Sequence, residues 1–219
     1  MDKELQALEQ TQTWEIVSLP QGKKPIACKW VYKVKCRADG SIERLKARSV
    51  VKGYTQKEGI DYNETFLPVV KLTTVRVLMT VAVKKRWPLH HLDVNNAFLH
   101  GDLHEEIYMK LPQGVSSTIP NAVCKLGKSL YGLKQASRQW YAKLSEVLYH
   151  IGFSHSENDY SLFYKKHGLS VVFLAVYVDD ILVIENDATE IATLKSFLDT
   201  TFRIKDLAYA HFFLRIEIR

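Results

Sequence analysis

Cysteine is scarce in this chain, and so are long apolar runs. Its 219 residues hold three cysteines, Cys28, Cys36 and Cys124, an odd number with no clustered spacing. That count rules out a disulfide-built scaffold and offers no zinc cage; it reads as reduced thiols in an intracellular protein. The longest uninterrupted apolar stretch, Val171–Val178, is far too short to cross a bilayer, so no membrane partner is expected. The opening "MDKELQALEQ" is charged and lacks an apolar signal core, which argues against secretion. No internal repeat, low-complexity tract or long linker interrupts the chain. At 47% hydrophobic and 25% charged residues, the composition is that of an ordinary globular protein able to bury a core.

Acidic residues are also locally absent. Between Gln21 and Gly53 ten Lys/Arg face only Asp39 and Glu43, a local net charge of +8 in a chain whose total is +6. The stretch from Lys125 to Lys143 contains no acid at all. Trp30, Tyr32, Tyr54, Tyr131, Trp140 and Tyr141 lie within or beside these basic stretches. Concentrated positive charge with interleaved rings suits a polyanion that carries stackable bases; the plainer alternative is a solvated basic face.

Periodicity gives an α+β reading, with helices packed on an antiparallel sheet. A short helix is expected over 2–10. "KWVYKVKCRADGSIERLKARSVVKGY" predicts two strands around a turn at 38–41, with Lys33 and Lys35 on one arm and Lys46 and Arg48 on the other projecting from one face of each. "GIDYNETFLPVV" reads as loop, and "KLTTVRVLMTVAVKKRW" as a helix with an apolar face. "PLHHLDVNNAFLHG" reads as a strand ending near Asp93. "GLKQASRQWYAKLSEVLYHIGF" predicts a second long helix closed by Gly152. "SLFYKKHGLSVVFLAVYVDDILVI" then predicts strand, turn, strand, an Asp pair and a further strand. A last helix opens at "DATE", where Asp187 and Glu190 have capping-box spacing.

The Asp pair is the sharpest chemical signal. Asp179 and Asp180 interrupt two segments that both favour burial, and no Gly eases the turn. A hairpin turn alone would account for one Asp, but adjacent carboxylates repel each other and resist ionisation beside apolar neighbours. A divalent cation removes both objections, and Mg²⁺ takes one or two protein carboxylates together with substrate phosphates. Asp93, at the end of another apolar strand, supplies a third carboxylate if the two strands pair. Such a set of oxygen donors suits metal-dependent phosphoryl chemistry. His100 and His104 have an H-x₃-H spacing, but Gly101-Asp102 between them predicts a turn rather than a zinc-binding helix. "LPQG" at 111–114 likewise reads as a turn.

Taken in order, the blocks "TWEIVSLPQGKKPIACKWVYKVK", "KARSVVKGYTQKEGIDYNETFLPVVK", "LDVNNAFLHGDLHEEIYM", "SLYGLKQASRQWYAKL" and "YVDDILV" closely resemble the reverse transcriptase domain of copia-type LTR retrotransposon Pol polyproteins. The resemblance covers nearly the whole chain. It implies a right-hand polymerase fold, with residues 14–88 mainly fingers and 89–219 mainly palm. It implies RNA-directed DNA polymerase activity with two Mg²⁺ or Mn²⁺ ions, held by Asp93, Asp179, Asp180 and the carbonyl of Val94. Lys33, Lys35, Lys46 and Arg48 would then meet the incoming deoxynucleoside triphosphate, Arg48 foremost because a guanidinium grips phosphate in bidentate fashion. Phe98 would check the sugar 2′ position, although a core Phe is as common a reading. Gly132, Lys134 and Gln135 would face template and nucleotide.

The implied partners are an RNA or DNA template with its primer and the rest of a Pol polyprotein. The implied place is the cytoplasm, or a virus-like particle for an active element. Three positions depart from the family pattern: Ser49 stands where a hydrophobic residue is usual, and Ala208 and Arg215 stand where Gly is usual. The ribonuclease H, integrase and protease regions of such polyproteins are not in this sequence. It therefore reads as a piece of a larger protein or as a decayed copy, and an inactive domain that still binds nucleic acid is the alternative to a working polymerase.

Overall fold

The computed structural model describes residues 1–37 and 39–218, apart from the Lys3 side chain. In chain order the elements are α1 (Asp2–Gln10), β1 (Trp14–Ser18), β2 (Cys28–Cys36), β3 (Ile42–Val51), α2 (Leu72–Lys85), β4 (Leu89–Val94), β5 (Asp102–Lys110), β6 (Ala122–Lys128) and α3 (Ala136–His150). They continue with β7 (Ser154–Ser156), β8 (Asp159–His167), β9 (Ser170–Tyr177), β10 (Asp180–Glu185), α4 (Ala188–Phe202), β11 (Ile204–Tyr209), β12 (Phe212–Phe213) and β13 (Ile216–Glu217). The mixed, antiparallel α/β character expected from the periodicity is present. Among the described residues no helix is long and apolar enough to cross a membrane.

The chain forms two compact units, residues 1–66 with 98–143, and residues 67–97 with 144–219. Each unit takes two separate stretches of chain, because strands distant in sequence pair within it: β1 with β6 in the first unit, and β4 with β10 in the second.

In the first unit β1, β6 and β5 form a three-stranded antiparallel sheet, and β2 and β3 form a two-stranded ribbon. Leu8, Leu99, Ile107, Met109, Leu126 and Leu130 belong to its buried core. The ribbon carries its turn where Asp-Gly predicted it: Asp39 Oδ1 accepts from the Ser41 N–H at 2.9 Å and from its Oγ–H at 2.6 Å. Ala38, part of that expected turn, lies outside the described residues. All three cysteines are free, and burial pushes the Cys124 thiol up to about 12.

In the second unit six antiparallel strands run in the order β11-β4-β10-β9-β8-β7. Successive residues Ile181, Leu182, Val183 and Ile184 of β10 are all fully buried, so both faces of the sheet are covered. That burial is why β9 and β10 read as continuous apolar runs rather than as alternating patterns. One face packs on Val75, Leu78 and Ala82 of α2 and on Phe213. Helix α4 buries Ile191, Leu194, Leu198 and Phe202, one stripe at helical spacing. Asp187 caps it, accepting from the Thr189 and Glu190 N–H groups. The reciprocal half of the capping box is replaced: the Asp187 N–H donates to Glu185, while Glu190 pairs with Lys165 at 2.7 Å.

Glu185 is only 2% exposed. Burial pushes its carboxyl above its ordinary value, against the Asp187 N–H and Lys195, which favour the charged form. A raised folded value means that the native state binds the proton more tightly than the unfolded chain. Stability is then fullest below the ordinary carboxylate range and falls as pH rises through the folded value. Glu185→Gln keeps the acceptor and removes the charge. It is expected to raise the thermal midpoint at pH 7–8, with the gain vanishing in acid, as melts across pH would show.

All three departures have a structural consequence. β12 and β13 pair Phe213 with Ile216, leaving a two-residue turn in which Leu214 and Arg215 take φ of 47° and 67°. Positive φ at both positions is the type I′ pattern, where Gly is favoured at the second. Ala208, at φ 62°, occupies the register shift of β11 against β4. Arg215→Gly and Ala208→Gly are each expected to stabilise the fold by about 1 kcal/mol, less the added freedom of the unfolded chain. Urea unfolding of each variant measures this. Ser49 is 1% exposed, and no hydrogen bond satisfies its Oγ, the condition expected where a hydroxyl replaces an apolar side chain.

Candidate active site

The carboxylates converge in the second unit through strand register. β4 and β10 pair antiparallel with Asp180 directly opposite Asp93, and the Val94 N–H donates to the Asp179 carbonyl at 2.8 Å. Tyr177 pairs with Asp180, so Val178 and Asp179 form a two-residue hairpin turn. Val178 takes φ 57° and Asp179 does not take a positive value, the sign pattern of a type II′ turn in which Gly normally holds the first position. A β-branched residue there stores strain of about 1–3 kcal/mol, a feature that collects at functional sites.

Directly opposed residues share a sheet face, so Asp93 and Asp180 present like charges to each other, an arrangement that is unfavourable unless a cation intervenes. Carboxylates are hard oxygen ligands of the kind that suit Mg²⁺ or Mn²⁺. The side chains do not form a ready cage: among the described residues no group of three His, Cys, Asp or Glu is gathered so as to hold a metal ion. Asp180 is engaged elsewhere, with its Oδ1 2.7 Å from His91 Nε2.

The first unit concentrates the cations. In the ribbon Lys33 pairs with Lys46, Lys35 with Arg44 and Val31 with Arg48, so five cations share one face. Lys46 is pulled below the ordinary lysine range by burial and then by Arg48 and Arg44, with Glu4 opposing them. Like charges on one strand face repel, and a bound anion would relieve that repulsion. The Arg48 guanidinium lies over the Tyr131 ring at 4.1 Å, and that ring meets Phe98 at 4.9 Å. Phe98 is partly buried against the unit's core.

A profile of the reverse transcriptase (RNA-dependent DNA polymerase) family matches residues 11–219. The chain belongs to this family. It is 46% identical over 221 residues to the retrovirus-related Pol polyprotein from transposon RE1 of Arabidopsis thaliana, covering 100% of this chain and 15% of that protein. Against the corresponding polyprotein from transposon TNT 1-94 of Nicotiana tabacum the identity is 43% over 220 residues, covering 100% and 17%. With the Ty1-H Gag-Pol polyprotein of Saccharomyces cerevisiae it is 30% over 164 residues, covering 71% and 9%. The chain thus spans about one-sixth of the length of these plant relatives.

The remaining expected residues have varied settings. Gly132, at φ 95°, lies against the ribbon's end: a Cβ there would meet the Val51 carbonyl oxygen at 2.1 Å. Lys134 reaches the Tyr62 hydroxyl at 3.1 Å, with its ammonium 4.9 Å from that ring's centre. Gln135 is fully buried; its amide accepts from Gln56 Nε2 and donates to the Asp61 carbonyl, both at 3.0 Å. Gln135 therefore braces the loop that carries Lys134 and has no surface to offer a ligand. The rejected zinc pair stays apart in character: His100 packs on Trp140 at 5.9 Å between ring centres, while His104 lies on β5.

Three participants were not singled out from sequence. His91 lies two residues before Asp93, hence on the same strand face, a period-two signal that was available. Tyr131 was visible only as one aromatic among basic residues. Glu4 of α1 is 8% exposed, and burial raises its carboxyl above the ordinary range against the pull of Arg48 and Lys46. Nothing local in the sequence pairs it with β3.

Proposed function

We propose that this domain is an RNA-directed DNA polymerase that extends a primer by nucleotidyl transfer, with the first unit acting as fingers and the second as palm. The observation that carries this reading is the opposition of Asp93 to Asp180 beside the strained Val178-Asp179 turn, in a chain of the reverse transcriptase family. Asp93 and Asp179, with the Val94 carbonyl, would hold two Mg²⁺ or Mn²⁺ ions, and Asp180 would support them. Bound there, the ions would supply charge neutralisation for in-line displacement at the α-phosphate, with pyrophosphate leaving.

The chain's own residues then have separate tasks. Lys33, Lys35, Lys46 and Arg48 bind the triphosphate, Arg48 pre-oriented by stacking on Tyr131. Phe98, held by the same ring, presents an apolar edge to the sugar. Gly132 lets the following loop approach the ribbon, and Gln135 steadies Lys134. The natural setting is a larger Pol-type polyprotein working in the cytoplasm or in a virus-like particle. There ribonuclease H, integrase and protease would act on the same nucleic acid and polypeptide.

A second reading, nucleic-acid binding without catalysis, is favoured by the five cations on one face of the ribbon, which suit a polyanion whether or not chemistry follows. One experiment separates the two: templated addition of a single deoxynucleotide to a DNA primer on RNA, with Mg²⁺ or Mn²⁺, for the parent and for Asp179→Asn. Ion-dependent extension by the parent alone supports the polymerase. Salt-sensitive binding of the primer-template with no extension by either supports the binding domain.

A further inference from the structure

The Asp180 side chain has a defined partner in the same sheet. Its Oδ1 lies 2.7 Å from His91 Nε2. A carboxylate only accepts at this site, so Nε2 carries the hydrogen and donates it. The ring is held on another side as well, in a T-shaped contact with Phe213 at 5.7 Å between ring centres and 86° between planes. Phe213 itself is 2% exposed and part of the core formed with α2, β9 and β10. The register explains why the contact forms. Asp180 stands opposite Asp93 and Leu182 opposite His91, so His91, Asp93 and Asp180 share one sheet face, and Asp180 reaches His91 along the diagonal. A side chain fixed by packing on one side and donating on the other is suited to hold its acceptor in one rotamer.

We propose that His91 is the positioning residue for Asp180, turning Oδ1 away from Asp93 and reserving Asp180 for a supporting role while Asp93 and Asp179 take the divalent ions. This rests on the polymerase reading above and goes beyond it by dividing the three carboxylates between two tasks. Without His91, Asp180 is free to turn toward Asp93, bringing two like charges together in an arrangement that no longer matches the ions.

The test uses two amides of different length. Gln at position 91 can place its NH₂ near the location of Nε2, whereas Asn falls short of it; both are polar and uncharged. His91→Asn is expected to lower kcat of primer extension by about 10- to 100-fold and to weaken Mn²⁺ binding about tenfold, while KM for the nucleotide stays within about threefold. Mn²⁺ binding is read without nucleotide, from the electron paramagnetic signal of the free ion. His91→Gln should restore both quantities to within about threefold of the parent by remaking the donor. Equal behaviour of Gln and Asn, while the parent extends primers and binds Mn²⁺, would overturn the positioning role and leave the polymerase reading standing. Tighter Mn²⁺ binding in His91→Asn would also overturn it, by showing that His91 competes with the ion for Asp180. A folded parent that neither extends nor binds Mn²⁺ would overturn the polymerase reading, and the role of His91 with it. Thermal melts of all three proteins accompany the assay, and a loss of kcat matched by a loss of fold in both variants counts against the proposal.

Discussion

Asp93→Asn is expected to cut templated primer extension by at least about 10³-fold, equivalent to about 4 kcal/mol of lost transition-state stabilisation. The same change should leave the protein slightly more stable than the parent. Asp93 stands directly across the β4–β10 ladder from Asp180, and removing one of two opposed charges relieves repulsion worth roughly 0.2–1 kcal/mol. A residue that costs stability while being essential for turnover belongs to function rather than to the fold. Single-turnover extension and a thermal melt in chelator measure both halves. Activity within tenfold of the parent would remove Asp93 from the chemistry. A large drop in melting temperature would recast it as a structural acid.

The second large effect concerns packing. Gly132→Ala should destabilise the protein by about 3 kcal/mol or more, since it adds both backbone strain and overpacking against main chain. Gly132 takes φ 95°, and an added Cβ would lie 2.1 Å from the Val51 carbonyl oxygen, with Val50 Cγ1 at 2.8 Å. Gly53 faces it so closely that its own Cβ would meet the Gly132 carbonyl oxygen at 1.9 Å. Backbone cannot give way as a flexible side chain can. Gly22 is the control: it has a similar φ of 81° but nothing within 4 Å of a Cβ. Gly22→Ala should therefore cost only about 1 kcal/mol from the left-handed conformation. Urea midpoints of the two variants separate strain from collision. Similar midpoints would mean that the loop at 132–135 yields, and that its seat against β3 is not rigid.

Much of the candidate site was legible because local rules and register act together there. Adjacent acids between buried strands demanded a special reason, and a strand pattern ending at Asp93 supplied the partner. The ribbon followed from Asp-Gly and the two-residue period, which placed its cations on one face. Other features depend on distant pairing, which no local pattern encodes. The sheet of β1, β6 and β5 was not foreseen. β5 is charged along much of "DLHEEIYMK", and its register against β6 shifts between Asp102 and Ile107, so its alternation is disguised. The family resemblance has Gln135 facing template and nucleotide, and no local pattern shows its burial: Gln56 and Asp61, far away in sequence, satisfy its amide. The positive φ of Arg215 was foreshadowed, since the family pattern has Gly there and Gly often marks such a position. The I′ turn between β12 and β13 supplies the physical reason.

If the carboxylates at the end of β4 and at the β9–β10 turn form the ion site of a polymerase, they must hold the ions in the working complex. A count of Mn²⁺ ions held by the protein with a chain-terminated primer on an RNA template and the next correct nucleotide decides this. Two ions per complex in the parent, and fewer in Asp93→Asn and in Asp179→Asn at equal nucleic-acid occupancy, is the predicted result. No protein-dependent ion, or the same count in all three proteins, would contradict it.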